Sequence, residues 1–211
     1  MKPGFSAKQV QLLNTAERLF SEKGFDGTSV RDIAEEAGIN TAMISYYFGS
    51  KEKLMEAIFE QRSLNIREKV DALLNDESLD PLQKMYRLLE EYVEKIMLSK
   101  KFHRILLCEQ VINKNPAILG MLAKIKTRNL SSINDVIRLG QKKGIFKKQV
   151  DVPMMMNSLI GTISHMLVSL DFYRSYHKME ALTDEEFEKI IKKKLSAHVK
   201  IIFKAILTNE S

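Results

Sequence analysis

Along residues 7 to 23 the apolar positions Val10, Leu13, Ala16, Leu19 and Phe20 recur three and four apart, the spacing of one helix face. Gly24 follows where a left-handed cap would close that helix. Phe25-Asp26-Gly27 reads as a turn, and Ser29-x-x-Asp32 resembles the capping box of a second helix that stops at Gly38. Asn40 caps a third helix over about Thr41 to Tyr47. Gly49-Ser50 breaks it, and a fourth helix then runs from about residue 51 to Leu74. Asp80-Pro81-x-Gln83 combines an N-cap, a proline at the first helical position and a capping glutamine. Leu82, Met85, Leu89, Tyr92, Val93 and Ile96 form the stripe of that fifth helix. Further helices are expected over Phe102 to Ile112, from Asn115-Pro116 to Lys143, from Asp151 to His177, and from the capping box Thr183-x-x-Glu186 to Leu207. Period-two alternation is not sustained anywhere. The pattern predicts an all-α fold of about nine helices and no sheet.

These helices fall into two groups. The first three are short and occupy residues 1–50; residues 51–211 hold longer, more apolar helices that read as a bundle. Apolar residues make up 45% of the chain and charged residues 28%, ordinary proportions for a globular core. The longest apolar stretch, Met154 to Leu170, is interrupted by Asn157, Ser158, Thr162, Ser164 and His165, so no membrane span is expected. The start lacks the apolar segment of a signal peptide, and a single cysteine, Cys108, cannot form an internal disulfide. A reducing cytoplasm is the expected compartment.

Between Arg31 and Leu54 the sequence is RDIAEEAGINTAMISYYFGSKEKL. Ile33, Ala37, Ile39, Ile44 and Tyr47 are spaced to converge between two helices joined at Gly38, with the small Ala34 allowing close approach. That is the pattern of a helix-turn-helix, whose second helix enters a DNA major groove; an ordinary helical hairpin shares it. Net charge is +6, yet residues 1–54 hold seven Lys/Arg and seven Asp/Glu. The excess lies in KKGIFKK near 142–148 and KKK at 192–194, which read as solvated faces. DNA binding by the first segment would therefore depend on local placement of charge.

This stretch, with AERLFSEKGFDGTSV before it, resembles the tetracycline-repressor (TetR) family of bacterial transcription regulators over about residues 7 to 59. GQKKGIFKKQVD at 140–151 is similar, more weakly, to the turn before the first dimerisation helix of that family. The resemblance implies that residues 1–50 read double-stranded operator DNA and that residues 51–211 bind a small-molecule inducer and form a homodimer. It places Thr41, Ala42 and Ser45 at base edges, with Thr41 able to donate or accept a hydrogen bond and Ala42 able to touch a thymine methyl. Arg31 matches a position that reaches guanine or phosphate; pairing with Glu35 four residues on is the alternative. Tyr46 and Tyr47 are expected on phosphates through their hydroxyls, with Tyr47 also able to pack inward. Thr28 and Lys51 are further phosphate candidates, through helix N-terminal amides and side chains. Lys51 stands in the first turn of its helix, where the dipole disfavours a cation, and a nearby phosphate would explain it. Phe48 reads as core. The chain departs from the family where Ser45 replaces a common tyrosine and Met43 a common Thr or Ala.

In the bundle, Ile160, Ile163, Leu167 and Leu170 form one stripe, and Phe187, Ile191, Leu195, Val199, Ile202 and Ile206 another; either can serve core or interface. Tyr92, His103, Asn129, Asn157 and His165 are polar residues beside apolar stripes, each a candidate to orient a ligand. The methionines, among them Met85, Met97, Met121, Met154 to Met156 and Met166, suit adaptable apolar packing. No His or Cys spacing nominates a metal, and no Ser/His/Asp set or phosphate-cradling loop nominates a cofactor or catalytic centre. An inducer-released homodimeric repressor is the expected function. A helical small-molecule binding module with weak DNA binding is the alternative, kept open by the neutral first segment; an enzyme is the remaining class, and none of its residues are nominated.

Overall fold

A computed structural model describes residues 5–63, 66–112 and 116–209. Among the described residues there are eleven α-helices and no strand: α1 (Ala7–Lys23), α2 (Val30–Glu36), α3 (Thr41–Phe48), α4 (Lys51–Ser63), α5 (Ile66–Asn75), α6 (Pro81–Leu98), α7 (Lys100–Ile112), α8 (Pro116–Lys142), α9 (Val152–Val168), α10 (Leu170–Tyr176) and α11 (Asp184–Leu207). The all-α reading of the sequence holds. Eleven stand for nine because the helix expected from residue 51 to Leu74 is described in two parts, α4 and α5, and the one expected from Asp151 to His177 is divided. Residues 64–65, between α4 and α5, lie outside the described residues, as does Asn115, expected to open α8. The division is at Ser169, between α9 and α10. Its hydroxyl donates to the His165 carbonyl at 2.6 Å, a local bond that competes with the helical ladder.

The expected caps form. Ser6 and Gln9 cap α1 reciprocally, Ser29 and Asp32 cap α2, and Thr183 and Glu186 cap α11. Asp80 Oδ1 accepts from Gln83 N–H, and Gln83 Oε1 accepts from Asp80 N–H, both at 2.9 Å, at the start of α6. Hydrogen bonds from Ser29 hold the Asp32 carboxyl below its ordinary pKa, and those from Thr183 do the same for Glu186.

The chain divides into two compact units. The first comprises Met1–Leu64 and Ser99–Ile125, and so gathers α1 to α4 with α7 and the start of α8. Leu13, Phe20, Phe25, Ile33, Ile44, Leu54, Met55 and Ile58 fill its core. Arg62 on α4 donates through Nε to Glu17 of α1 at 2.9 Å, so that a buried carboxylate has its cation.

The second unit comprises Asn65–Leu98 and Lys126–Ser211. Its core runs through Met85, Leu89 and Val93 of α6, Ile133 and Val136 of α8, Leu159 and Ile163 of α9, and Phe187 to Leu207 of α11. The stripes that sequence left open between core and interface face inward here: Ile163, Phe187, Ile191, Leu195 and Val199 are buried, and Ile160, Leu167, Leu170, Ile202 and Ile206 are half-buried. In the GQKKGIFKKQVD segment, a Cβ on Gly140 would lie 2.1 Å from the Phe146 ring, so only glycine fits. Lys147 N–H donates to the Leu207 carbonyl at 2.8 Å, tying this turn to the end of α11.

Candidate nucleic-acid interface

The geometry of the first unit is set by the corner between α2 and α3. Ile39 N–H donates to the Ala34 carbonyl at 3.0 Å, and Gly38 N–H to that of Glu35 at 3.1 Å. Gly38 sits at φ +65°, with nothing near where a Cβ would stand. Conformation, and not crowding, requires glycine there. Asn40 Oδ1 accepts from Ala42 N–H at 2.8 Å and starts α3.

Only Ile44 of α3 is fully buried. Tyr47 and Phe48 pack half-buried on the same core, and Met43 is half-buried. The opposite face is open: Thr41, Ala42, Ser45 and Tyr46 are exposed, Tyr46 by 79%. Positions 41 and 45, and 42 and 46, are each four apart, so these four side chains share one outward face. That face offers two small hydroxyls, one methyl and a phenol, the chemistry of base edges and phosphate walls. Four of the five sequence-predicted residues of α3 thus share that face, whereas Tyr47 packs against the core. Arg31, on α2, is exposed, and the alternative ion pair with Glu35 does not form among the described residues.

Thr28 and Lys51 stand differently. Thr28 is fully buried, and its hydroxyl donates to the Gly24 carbonyl at 2.8 Å. Lys51 Nζ donates to the carbonyls of Phe25 and Thr28 at 2.9 and 3.0 Å and lies 4.2 Å from the Phe25 ring centroid. Both side chains hold the α1–α2 turn. The expectation of side-chain phosphate contacts from these two residues is corrected accordingly: an awkward cation at the start of α4 is explained by carbonyls inside the protein.

The same turn is held from a third side. Phe25 N–H donates to the buried Glu109 Oε1 of α7 at 3.1 Å. Nothing local in the sequence marks Glu109, which lies 84 residues from its partner. Glu17 did carry a signal, because it stands on the buried stripe of α1 with Leu13, Ala16 and Phe20, where a carboxylate needs a cation. Arg18 bridges Glu22 and Glu36, drawing two acids of the first segment into ion pairs.

Among the described residues, no group of three or more His, Cys, Asp or Glu side chains could hold a metal ion, and no helix is long and apolar enough to cross a membrane.

Residues 12–58 match the family model described as "Bacterial regulatory proteins, tetR family". The chain is 29% identical over 162 residues to the HTH-type transcriptional repressor NicS of Pseudomonas putida, covering 71% of this chain and 73% of that one. Residues 12–58 thus carry a tetR-family domain. Two solved structures show the same fold. One is the ketosteroid transcriptional regulator KstR2 of Mycobacterium tuberculosis, with TM-score 0.70, 22% identity and coverage of 98% of each chain. The other is the fatty acid degradation regulator FadR from Bacillus halodurans, with TM-score 0.72, 16% identity and coverage of 94% and 97%. That domain marks the chain as a DNA-binding regulator of transcription. The matched residues 12–58 contain the whole corner and α3, so the family match and the exposed face of α3 bear on the same segment.

Proposed function

We propose that this tetR-family protein is a homodimeric repressor that a small-molecule inducer releases from a near-palindromic operator. Residues 1–50 read the DNA, and residues 51–211 bind the inducer and dimerise. One observation carries the reading: α3 turns Thr41, Ala42, Ser45 and Tyr46 outward from a corner fixed by Gly38 and Ile44. In this reading Thr41, Ala42 and Ser45 meet base edges, and the hydroxyls of Tyr46 and Tyr47 meet phosphates. Arg31 extends the footprint from α2. Thr28 and Lys51 act by fixing the turn before α2, whose N-terminal amides remain a phosphate site.

Dimerisation is supported by an exposed apolar line on the second unit. Met154 and Val168 of α9 and Phe172 and Tyr176 of α10 are all strongly exposed, as is Ile201 of α11. Asn157, Gly161 and His165 stand at intervening exposed positions of α9, so Asn157 and His165 belong to this outer face and not to an inner ligand site. A run of large apolar side chains in water marks a protein interface. The tetR family relatives named as repressors, NicS among them, support the sign of regulation. A reducing cytoplasm is the compartment in which such a protein would meet its DNA.

The test is nuclease footprinting on the DNA upstream of the protein's own gene. The expected result is one protected segment with two-fold symmetry, its half-sites about one helical turn or slightly more apart. Protection without symmetry, or equal affinity for random duplex with a steep salt dependence, would refute the reading. The second reading, a small-molecule binding module with weak DNA binding, is favoured by one observation: seven basic residues against seven acidic ones in residues 1–54. Tight ligand binding with no footprint would select it.

A further inference from the structure

Tyr92 lies inside the core of the second unit, 3% exposed, and its hydroxyl has no hydrogen-bond partner among the described residues. Buried hydroxyls without partners are rare in folded proteins, because the lost hydration is not recovered. Burial holds this phenol in its neutral, proton-donating form well above the ordinary tyrosine pKa, with Arg128 of α8 acting in the opposite direction. A neutral O–H donor in an apolar core is suited to an acceptor brought by something else.

Lys95 follows Tyr92 by three residues on α6, on the adjoining part of the same face. The acids of this helix are taken: Glu90 accepts from Lys200, Glu91 from Lys69, and Glu94 pairs with Lys192. Lys95 has no carboxylate partner among the described residues. Its pKa is pushed down to about 8, first by burial and then by the positive charges of Arg128 and Lys69. A half-buried ammonium without a carboxylate of its own is unfavourable as it stands, and an anion beside it would reverse that. The core on the inner side of Tyr92 is apolar and rich in methionine, with Met85, Met97, Met155 and Met156 buried in it. Such side chains repack readily around an apolar guest.

We infer that Tyr92 and Lys95 form the head-group site for an organic anion, a carboxylate or phosphate attached to an apolar body, within the second unit. The inference rests on the ligand-responsive reading above and names the chemical class of its inducer. Tyr92 Oη donates to the anion, Lys95 supplies charge, and the methionine-rich core takes the body.

The test uses the full chain without DNA, titrated calorimetrically with octanoate, octyl phosphate and uncharged octanol. At least one anion is expected to bind ten times more tightly than octanol, and the better of the two distinguishes carboxylate from phosphate. Tyr92→Phe and Lys95→Gln should each weaken the anion roughly tenfold, as loss of a charged hydrogen bond does, and leave octanol unchanged. Tyr92→Phe should keep or raise the melting temperature, because it deletes a hydroxyl that lacks a partner, so loss of binding in it cannot be put down to misfolding. Octanol binding as tightly as the anions, no heat from any of the three, or both variants binding like the wild type would overturn the inference. Operator binding by the same preparation separates the two readings. Anion binding that depends on Tyr92 and Lys95 but leaves operator affinity unmoved upholds the site and refutes release by inducer. Intact operator binding with no anion binding refutes the site alone.

Discussion

Helices α3 and α9 both leave one face in water, but they expose different chemistry. The outer face of α3 carries Thr41, Ala42, Ser45 and Tyr46, whose hydroxyls can bond to charged and polar groups. That of α9, continued through α10, carries Met154, Val168, Phe172 and Tyr176, mostly without polar groups to satisfy. Exposure alone would give the two faces one meaning. Chemistry separates them: the first suits a wet, charged partner such as DNA, the second a dry partner such as a second copy of the chain. Their anchoring differs as well. One buried side chain, Ile44, fixes α3, whereas α9 buries Val152, Met155, Met156, Leu159 and Ile163.

The comparison breaks most visibly if the dry face is charged. Phe172→Glu with Ile201→Glu should convert the proposed dimer to monomers in light-scattering measurements and weaken operator binding by at least about a hundredfold, because each half-site would then bind alone. The helical circular dichroism should be unchanged. A variant that stays dimeric would show that α9 and α10 face solvent for some other reason.

Next in size is the anchor of the reading helix. Ile44→Ala should destabilise the first unit by about 2–4 kcal/mol, the usual cost of an emptied core site. Denaturant melts should show it, and operator binding should weaken even where the protein remains folded. Smaller again is the cap of α2. Ser29→Ala removes the acceptor for Asp32 N–H, which lies 3.1 Å away, and should cost about 1 kcal/mol in the same melts.

A pH-dependent effect concerns Lys95. Its folded-state pKa of about 8 lies below the ordinary 10.5, so between these values the unfolded chain binds more protons than the folded one. Stability therefore rises with pH across that window. Measured against Lys95→Met, the wild type should be the less stable at pH 7, and the gap should narrow as pH climbs toward 10.5. A gap that widens would contradict the burial of a charged Lys95.

The helices were legible because their caps are local. Ser29 with Asp32, Asp80 with Gln83 and Thr183 with Glu186 each lie within four residues, and all close as their spacing predicts. So was the outward face of α3, since Gly38, Asn40 and Ile44 fix its start and its rotation. What escaped the sequence is tertiary. Lys51 looked like a phosphate ligand because its carbonyl partners, at Phe25 and Thr28, are more than twenty residues away. Thr28 read as a phosphate candidate, but the fold turns its hydroxyl back onto Gly24. Glu109 could not be nominated at all, since only the packing of α7 brings it to Phe25. Asn157 and His165 looked like ligand-orienting residues beside an apolar stripe, and the rotation of α9 sends them outward.

The outward face of α3 is tested most directly by comparing affinities for the footprinted operator and for a random duplex of the same length at one salt concentration. The wild type should prefer the operator by at least about a thousandfold. Thr41→Ala, Ser45→Ala and Tyr46→Ala combined touch no buried side chain, so they should leave the fold intact and reduce that preference to nearly none. A folded triple variant that still discriminates as the wild type does would contradict the assignment of α3 as the reading helix.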